Sequence, residues 1–151
     1  MAEEYKENLD EGIYLIQNGK YEDAIKYINK SLELKNDWEI PYFYRAVANQ
    51  ALENWNDSIL DYTKSIQLNE NMTDAYYNRA RITLVRKDIA TPDYNKAISD
   101  LTKALELDNE FVDALYAMAA AQKKVGEYDL ALEYLEKLLK IEPEAVNARA
   151  L

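Results

Sequence analysis

The chain has 151 residues, enough for one domain with its own core, and 48% of them are apolar, 30% charged, with three glycines and three prolines; such a composition belongs to a soluble protein with little material for sheets or linkers. Its net charge of −10 repels phosphate backbones and anionic membranes, so nucleic acid and membrane are excluded as partners and a basic or apolar one is favoured. It has no cysteine and no histidine, which removes thiol nucleophiles, disulfides, imidazole bases and the usual zinc sets; no catalytic residue, metal or cofactor is expected.

The first stretch, "MAEEYKENLDEGIYL", is acidic and lacks the basic start and apolar run of a secretory signal, and no segment is long enough to span a bilayer. A cytoplasmic location is expected. Gly12 lies in this stretch, and "YEDAIKYINKSLEL" follows from Tyr21 with Ala24, Ile25, Ile28 and Leu32 on one helical face. Next come "IPYFYRAVANQ" from Ile40 and "WNDSILDYTKSIQL" from Trp55, then "DAYYNRARITL" from Asp74 and "YNKAISDLTKALEL" from Tyr94, and last "DALYAMAAAQK" from Asp113 and "YDLALEYLEKLLKI" from Tyr128. The second segments start 34, 39 and 34 residues apart. Two helical segments per unit at that period predict a helical solenoid.

A small residue recurs within both kinds of segment. Gly12, Ala46, Ala80 and Ala119 occupy one place in the first segments, and Ala24, Ser58, Ala97 and Ala131 one place in the second. Antiparallel helices approach closely only where side chains do not hold them apart, so these residues mark the predicted crossings. The unit from Asp74 carries five extra residues within "VRKDIATPDYN". Thr91 followed by Pro92 predicts the cap and first turn of its second helix, and lengthening of a tolerated loop is the simpler reading of the insertion. Arg45 and Arg79 recur at equivalent places, which points to packing between helices.

The pattern resembles the tetratricopeptide repeat, whose 34-residue unit has small residues at its eighth and twentieth places and an aromatic at its seventeenth, here Tyr21, Trp55, Tyr94 and Tyr128, with Pro143 as a closing proline. The resemblance covers the whole chain, 1–151, as one domain of four repeats: 5–38, 39–72, 73–111 with the insertion, and 112–145. It implies an all-α, right-handed superhelix of antiparallel helix pairs whose first helices line a concave groove. Carried over by position, the groove residues are Leu9, Ile13, Phe43, Tyr44, Val47, Tyr77, Asn78, Arg81 and Tyr116. Tyr42 and Tyr76 are expected to pack between repeats instead. Family members that grip acidic chaperone tails use lysines, asparagines and an arginine where this chain has Leu9, Ile13, Tyr44, Asp74 and Asn78, so a carboxylate clamp is not expected.

Polar Asn8 and Glu11 suit a terminal helix with no preceding repeat to cover it. "DNEFVD" from Asp108 lacks the glycine and closing glutamate of a calcium loop and is expected to be a turn that caps the next helix. At the other end "AVNAR" echoes "FVDAL", so a further first helix begins near Val146, as the stub 146–151 of a longer array or as a cap. Leu138 replaces Ser31, Ser65 and Ala104, which predicts relaxed packing there. Leu132, Leu135, Leu138 and Leu139 leave the last helix apolar on more than one face, as a surface for self-association.

The expected function is that of a non-enzymatic protein-interaction scaffold binding a peptide of apolar and basic character in an aromatic groove. The alternatives are a homo-oligomeric assembly protein using the last helix, and a regulatory domain attached to or recruiting an enzyme.

Overall fold

The computed structural model describes residues 3–144; the stub at 146–151 lies outside them. These residues form eight helices: α1 (Glu4–Gln17), α2 (Tyr21–Leu34), α3 (Glu39–Ala51), α4 (Trp55–Leu68), α5 (Thr73–Val85), α6 (Tyr94–Leu107), α7 (Val112–Lys124) and α8 (Tyr128–Ile141). No strand occurs among the described residues. The helices divide into two compact units, Met1–Ala75 and Tyr76–Leu151, with the division falling inside α5.

In the first unit α1 packs along α2, α3 along α4, and α2 against α3. The α1–α2 crossing is as tight as its small residues predict. A Cβ added to Gly12 would lie 2.6 Å from Cγ1 of Ile28 and 3.3 Å from the carbonyl oxygen of Ala24. Ala24 and Ile28 are fully buried there. At the α3–α4 crossing the small residue has a second use: the Ser58 hydroxyl donates to the Ala46 carbonyl at 2.7 Å, which satisfies a buried polar group. Two further serines tie helix ends together, Ser31 donating to the carbonyl of Tyr5 at 2.7 Å and Ser65 to that of Glu39 at 3.2 Å.

Three of the hairpin turns share one geometry. After α1, the Gly19 amide donates to the Ile16 carbonyl and the Lys20 amide to that of Leu15; after α7, Gly126 donates to Lys123 and Glu127 to Gln122. Both glycines have positive φ, +74° and +86°, as a Schellman cap requires. After α3 the same pair of bonds forms from Glu53 to Gln50 and from Asn54 to Asn49, with Glu53 at φ +61°. A side chain in that region crowds its own backbone.

In the second unit, α6 packs against α7 and α7 against α8, and Ala80, Ala97, Leu101, Ala114 and Met118 form a buried cluster. Ala119 and Ala131 are buried on α7 and α8. Two expectations about ends are corrected. The cap of α6 is Asp93, not Thr91, and its carboxylate accepts from the Lys96 amide at 3.2 Å; Pro92 therefore precedes the helix instead of occupying its first turn. Asp108 does not cap α7, whose N-cap is Phe111. Its carboxylate accepts from the Glu110 amide at 3.1 Å and bends the chain out of α6, as Asn69 does after α4 through the Asn71 amide at 3.0 Å.

Leu138 is also a correction. It is fully buried, so it belongs to the interior and not to a surface for self-association; the exposed part of α8 lies on other faces.

Gly12→Ala is expected to lower the denaturation midpoint, although alanine gains about 1 kcal/mol of helix preference over glycine, because the new methyl overlaps Ile28; an unchanged midpoint in urea titration would show that α1 shifts freely. Glu53→Gly is expected to stabilise the chain by about 1 kcal/mol by relieving the left-handed residue, read as a rise in thermal midpoint.

Candidate functional site

In the first unit the residues that face one another across an open cleft of about 330 Å³ are Ile40, Phe43 and Tyr44 of α3, Asn71 and Met72 of the following turn, and Thr73 and Asp74 at the start of α5. They come together because α3 begins at Glu39 and the turn after α4 returns the chain beside its first two turns. The Phe43 ring meets Tyr44 edge-on at 5.3 Å and Tyr62 at 5.7 Å. Tyr62 is fully buried, and its hydroxyl donates to Oε1 of Gln50 at 2.7 Å. Phe43 therefore rests on a ring that is itself anchored to the same helix. Asp74 is the only charged residue in this lining.

Of the other residues proposed for this unit, Val47 is half-buried and outside the lining of the cleft. Ile13 is half-buried against the α1–α2 core. Leu9 is a correction: only 4% of it is exposed, and it belongs to the core with Ile28 and Leu32. Its short side chain ends inside the layer between helices, where the aromatics at the equivalent places reach past it. Tyr42 packs on that same core and donates its hydroxyl to the Asn36 carbonyl at 2.8 Å, in keeping with a role between helices.

In the second unit Tyr77 is half-buried and lies against Phe111, ring centroids 4.8 Å apart and tilted by 42°, at the edge of the buried cluster. Asn78 is half-buried and Arg81 exposed. Tyr116 on α7 is 36% exposed, whereas Tyr76 is buried. On α8, Leu132 and Leu139 are exposed, Leu135 is half-buried and Leu138 is buried, so three of the four leucines proposed for self-association reach the surface.

The two repeated arginines are latches between helices. Arg45 donates to both carboxylate oxygens of Asp61, at 2.7 and 2.9 Å, and from its third nitrogen to Oδ1 of Asn29 at 2.9 Å. Arg79 grips Asp100 in the same bidentate way, at 2.9 and 2.7 Å. The hydrogen bonds that each guanidinium donates to its carboxylate hold its pKa above the ordinary value, against the opposing effect of burial. The sequence shows the arginines but not their partners; the recurrence of Asp61 and Asp100 at one place in the second segments is the signal that finds them. The last copy has Met118 and Tyr134 at these two places, so an apolar pair replaces the ionic one.

Among the described residues no group of three carboxylates is arranged to hold a metal ion, and no helix is long and apolar enough to cross a membrane.

Residues 11–37 match a tetratricopeptide-repeat family model, and residues 112–151 match that of the Fis1 C-terminal tetratricopeptide repeat. No curated protein matches the sequence. Among solved structures, that of MamA is similar over 95% of this chain and 81% of its own, with a TM-score of 0.83 and 23% identity. The first TPR of Spaghetti (RPAP3), bound to the HSP90 peptide SRMEEVD, is similar over 83% of this chain and 95% of its own, with a TM-score of 0.75 and 19% identity. The TPR domain of Arabidopsis OM64 is similar over 81% of this chain and 97% of its own, at 0.72 and 22%. At these identities the likeness shows a shared fold.

Arg45→Met is expected to destabilise the protein by about 3 kcal/mol, because it leaves Asp61 charged in a buried place. Arg45→Met with Asp61→Tyr, which copies the Met118 and Tyr134 pair, is expected to recover most of that loss in a denaturant titration.

Proposed function

The chain is a tetratricopeptide-repeat protein, and from that premise we propose that it is a non-catalytic, cytoplasmic interaction module that binds an apolar peptide segment of a partner at the cleft of Phe43 and Tyr44. Its four helix pairs are taken as the repeats 5–38, 39–72, 73–111 and 112–145 of one domain. The observation that carries the reading is the cleft itself: apolar side chains from Ile40, Phe43, Tyr44 and Met72 surround it, and Phe43 is braced from below by Tyr62. An aromatic that a ligand desolvates contributes about 1.5–3 kcal/mol, and a tyrosine hydroxyl fixes orientation.

Val47 and Ile13 of the first unit are proposed as further contacts beside the cleft, and Tyr77, Asn78, Arg81 and Tyr116 as a contact surface of the second unit in its own right. The shared fold of the RPAP3 domain, which holds a bound peptide, supports peptide binding as a use of this scaffold. That peptide's acidic end is not the ligand proposed here. The clamp places hold Leu9 and Ile13 in or against the core, and Asp74 puts a carboxylate at the cleft, so an apolar segment of neutral or basic character is the better match.

A peptide array followed by fluorescence anisotropy tests this. Phe43→Ala is expected to weaken peptides selected on the native protein about tenfold or more, with helix content by circular dichroism unchanged. Equal binding by Phe43→Ala and by Tyr44→Ala, with the fold intact, rules the cleft out.

A further inference from the structure

Twice in this chain an arginine is held between a tyrosine ring and an aspartate. The guanidinium carbon of Arg45 lies 5.7 Å from the ring centre of Tyr42, one turn earlier on α3, while its nitrogens donate to both carboxylate oxygens of Asp61 at 2.7 and 2.9 Å. On α5 the arrangement repeats: Arg79 lies 6.0 Å from the ring centre of Tyr76 and donates to the Asp100 carboxylate at 2.9 and 2.7 Å. A guanidinium suits both partners at once. It is flat and weakly hydrated, so it rests on a ring, and its edge carries parallel N–H groups that match a carboxylate.

The cleft of the first unit offers the same two kinds of partner, and its lining holds no lysine or arginine. Phe43 and Tyr44 line it from α3, and Asp74 from the first turn of α5. The two rings are half-buried and Asp74 is exposed, so both are open to a side chain arriving from solvent. Among the described residues the Asp74 carboxylate has neither a hydrogen bond nor an ion pair. Asp93 and Asp108, also beside helix ends, turn theirs to backbone amides at 3.2 and 3.1 Å. Asp74 makes no such bond and keeps its acceptors for another group.

We propose that the cleft takes an arginine side chain of the partner segment, its guanidinium paired with the Asp74 carboxylate and laid against Phe43 and Tyr44, with Ile40 and Met72 beside its aliphatic stem. This rests on the reading of the cleft as the peptide site and gives that site its specificity: one arginine set among apolar neighbours. The partner's arginine does from outside what Arg45 and Arg79 do within the chain. The net charge of −10 draws a basic segment toward the surface, and Asp74 decides where its cation settles. A neutral side chain at this place leaves the carboxylate without a partner, and a glutamate sets like charges together.

The experiment uses the full chain and an array of end-capped hexapeptides whose central place is fixed as arginine, lysine, citrulline or glutamate among randomised leucine, isoleucine, phenylalanine and alanine. The native protein is expected to bind arginine peptides about tenfold better than citrulline ones, which keep the shape without the charge, and better than lysine ones. Asp74→Asn is expected to bring arginine peptides down to the citrulline level, and Asp74→Arg to turn the preference toward glutamate. Glu22→Gln removes an equal charge from an exposed place outside the cleft and is expected to keep the native preference, which separates local pairing from attraction by net charge. Equal binding of arginine and citrulline peptides, lysine peptides as strong as arginine ones, a preference that survives Asp74→Asn, or one lost in Glu22→Gln overturns the inference. If binding in those cases still falls with Phe43→Ala, the peptide cleft stands without its arginine. No binding to any peptide, or binding indifferent to Phe43→Ala, removes the cleft and the arginine together.

Discussion

Everything else in this fold depends on how closely the two helices of a pair approach. At Gly12 the space for even one methyl is gone. At Ala46 and Ser58 the approach is close enough for a side-chain hydroxyl to reach the facing backbone at 2.7 Å. Packing at such distances leaves helices little freedom to slide, because a shift of one residue replaces a small side chain by a large one. Places on the outer faces of a pair are thereby assigned: Ile28 inward, Arg45 beside Asp61, Phe43 over Tyr62. The helices supply little of this by themselves, since segments of 13 or 14 residues are marginal in isolation.

Period and small residues made the architecture legible before any coordinates, because both are set by local geometry that repeats from copy to copy. Side-chain length and choice of partner were not legible in the same way. Leu9 shares its repeat place with Phe43 and Tyr77, yet a leucine ends within the core where a ring emerges from it. Leu138 stands in an apolar run that reads as a surface for self-association, whereas it is buried in the interior. The α6 cap went to Asp93 in place of Thr91 because a carboxylate could accept from Lys96 at the third place, a choice between two good capping residues that spacing does not decide. Glu53 shows the reverse case: the turn's hydrogen bonds impose a left-handed residue even where no glycine is supplied.

The polar groups of the interior follow one economy. Buried serines bond to carbonyls of the neighbouring helix, and each latch arginine spends its donors on a carboxylate and, for Arg45, on an amide as well. The last pair abandons that chemistry for Met118 and Tyr134, with Met118 fully buried.

The bracing of Phe43 has a kinetic implication. Tyr62 is held from beneath through Gln50, and a ring packed on it is restrained before any ligand arrives, so a segment bound there as proposed would forfeit little additional entropy. Under that proposal encounter would not wait for a rearrangement, and discrimination among segments would fall on how long each one stays.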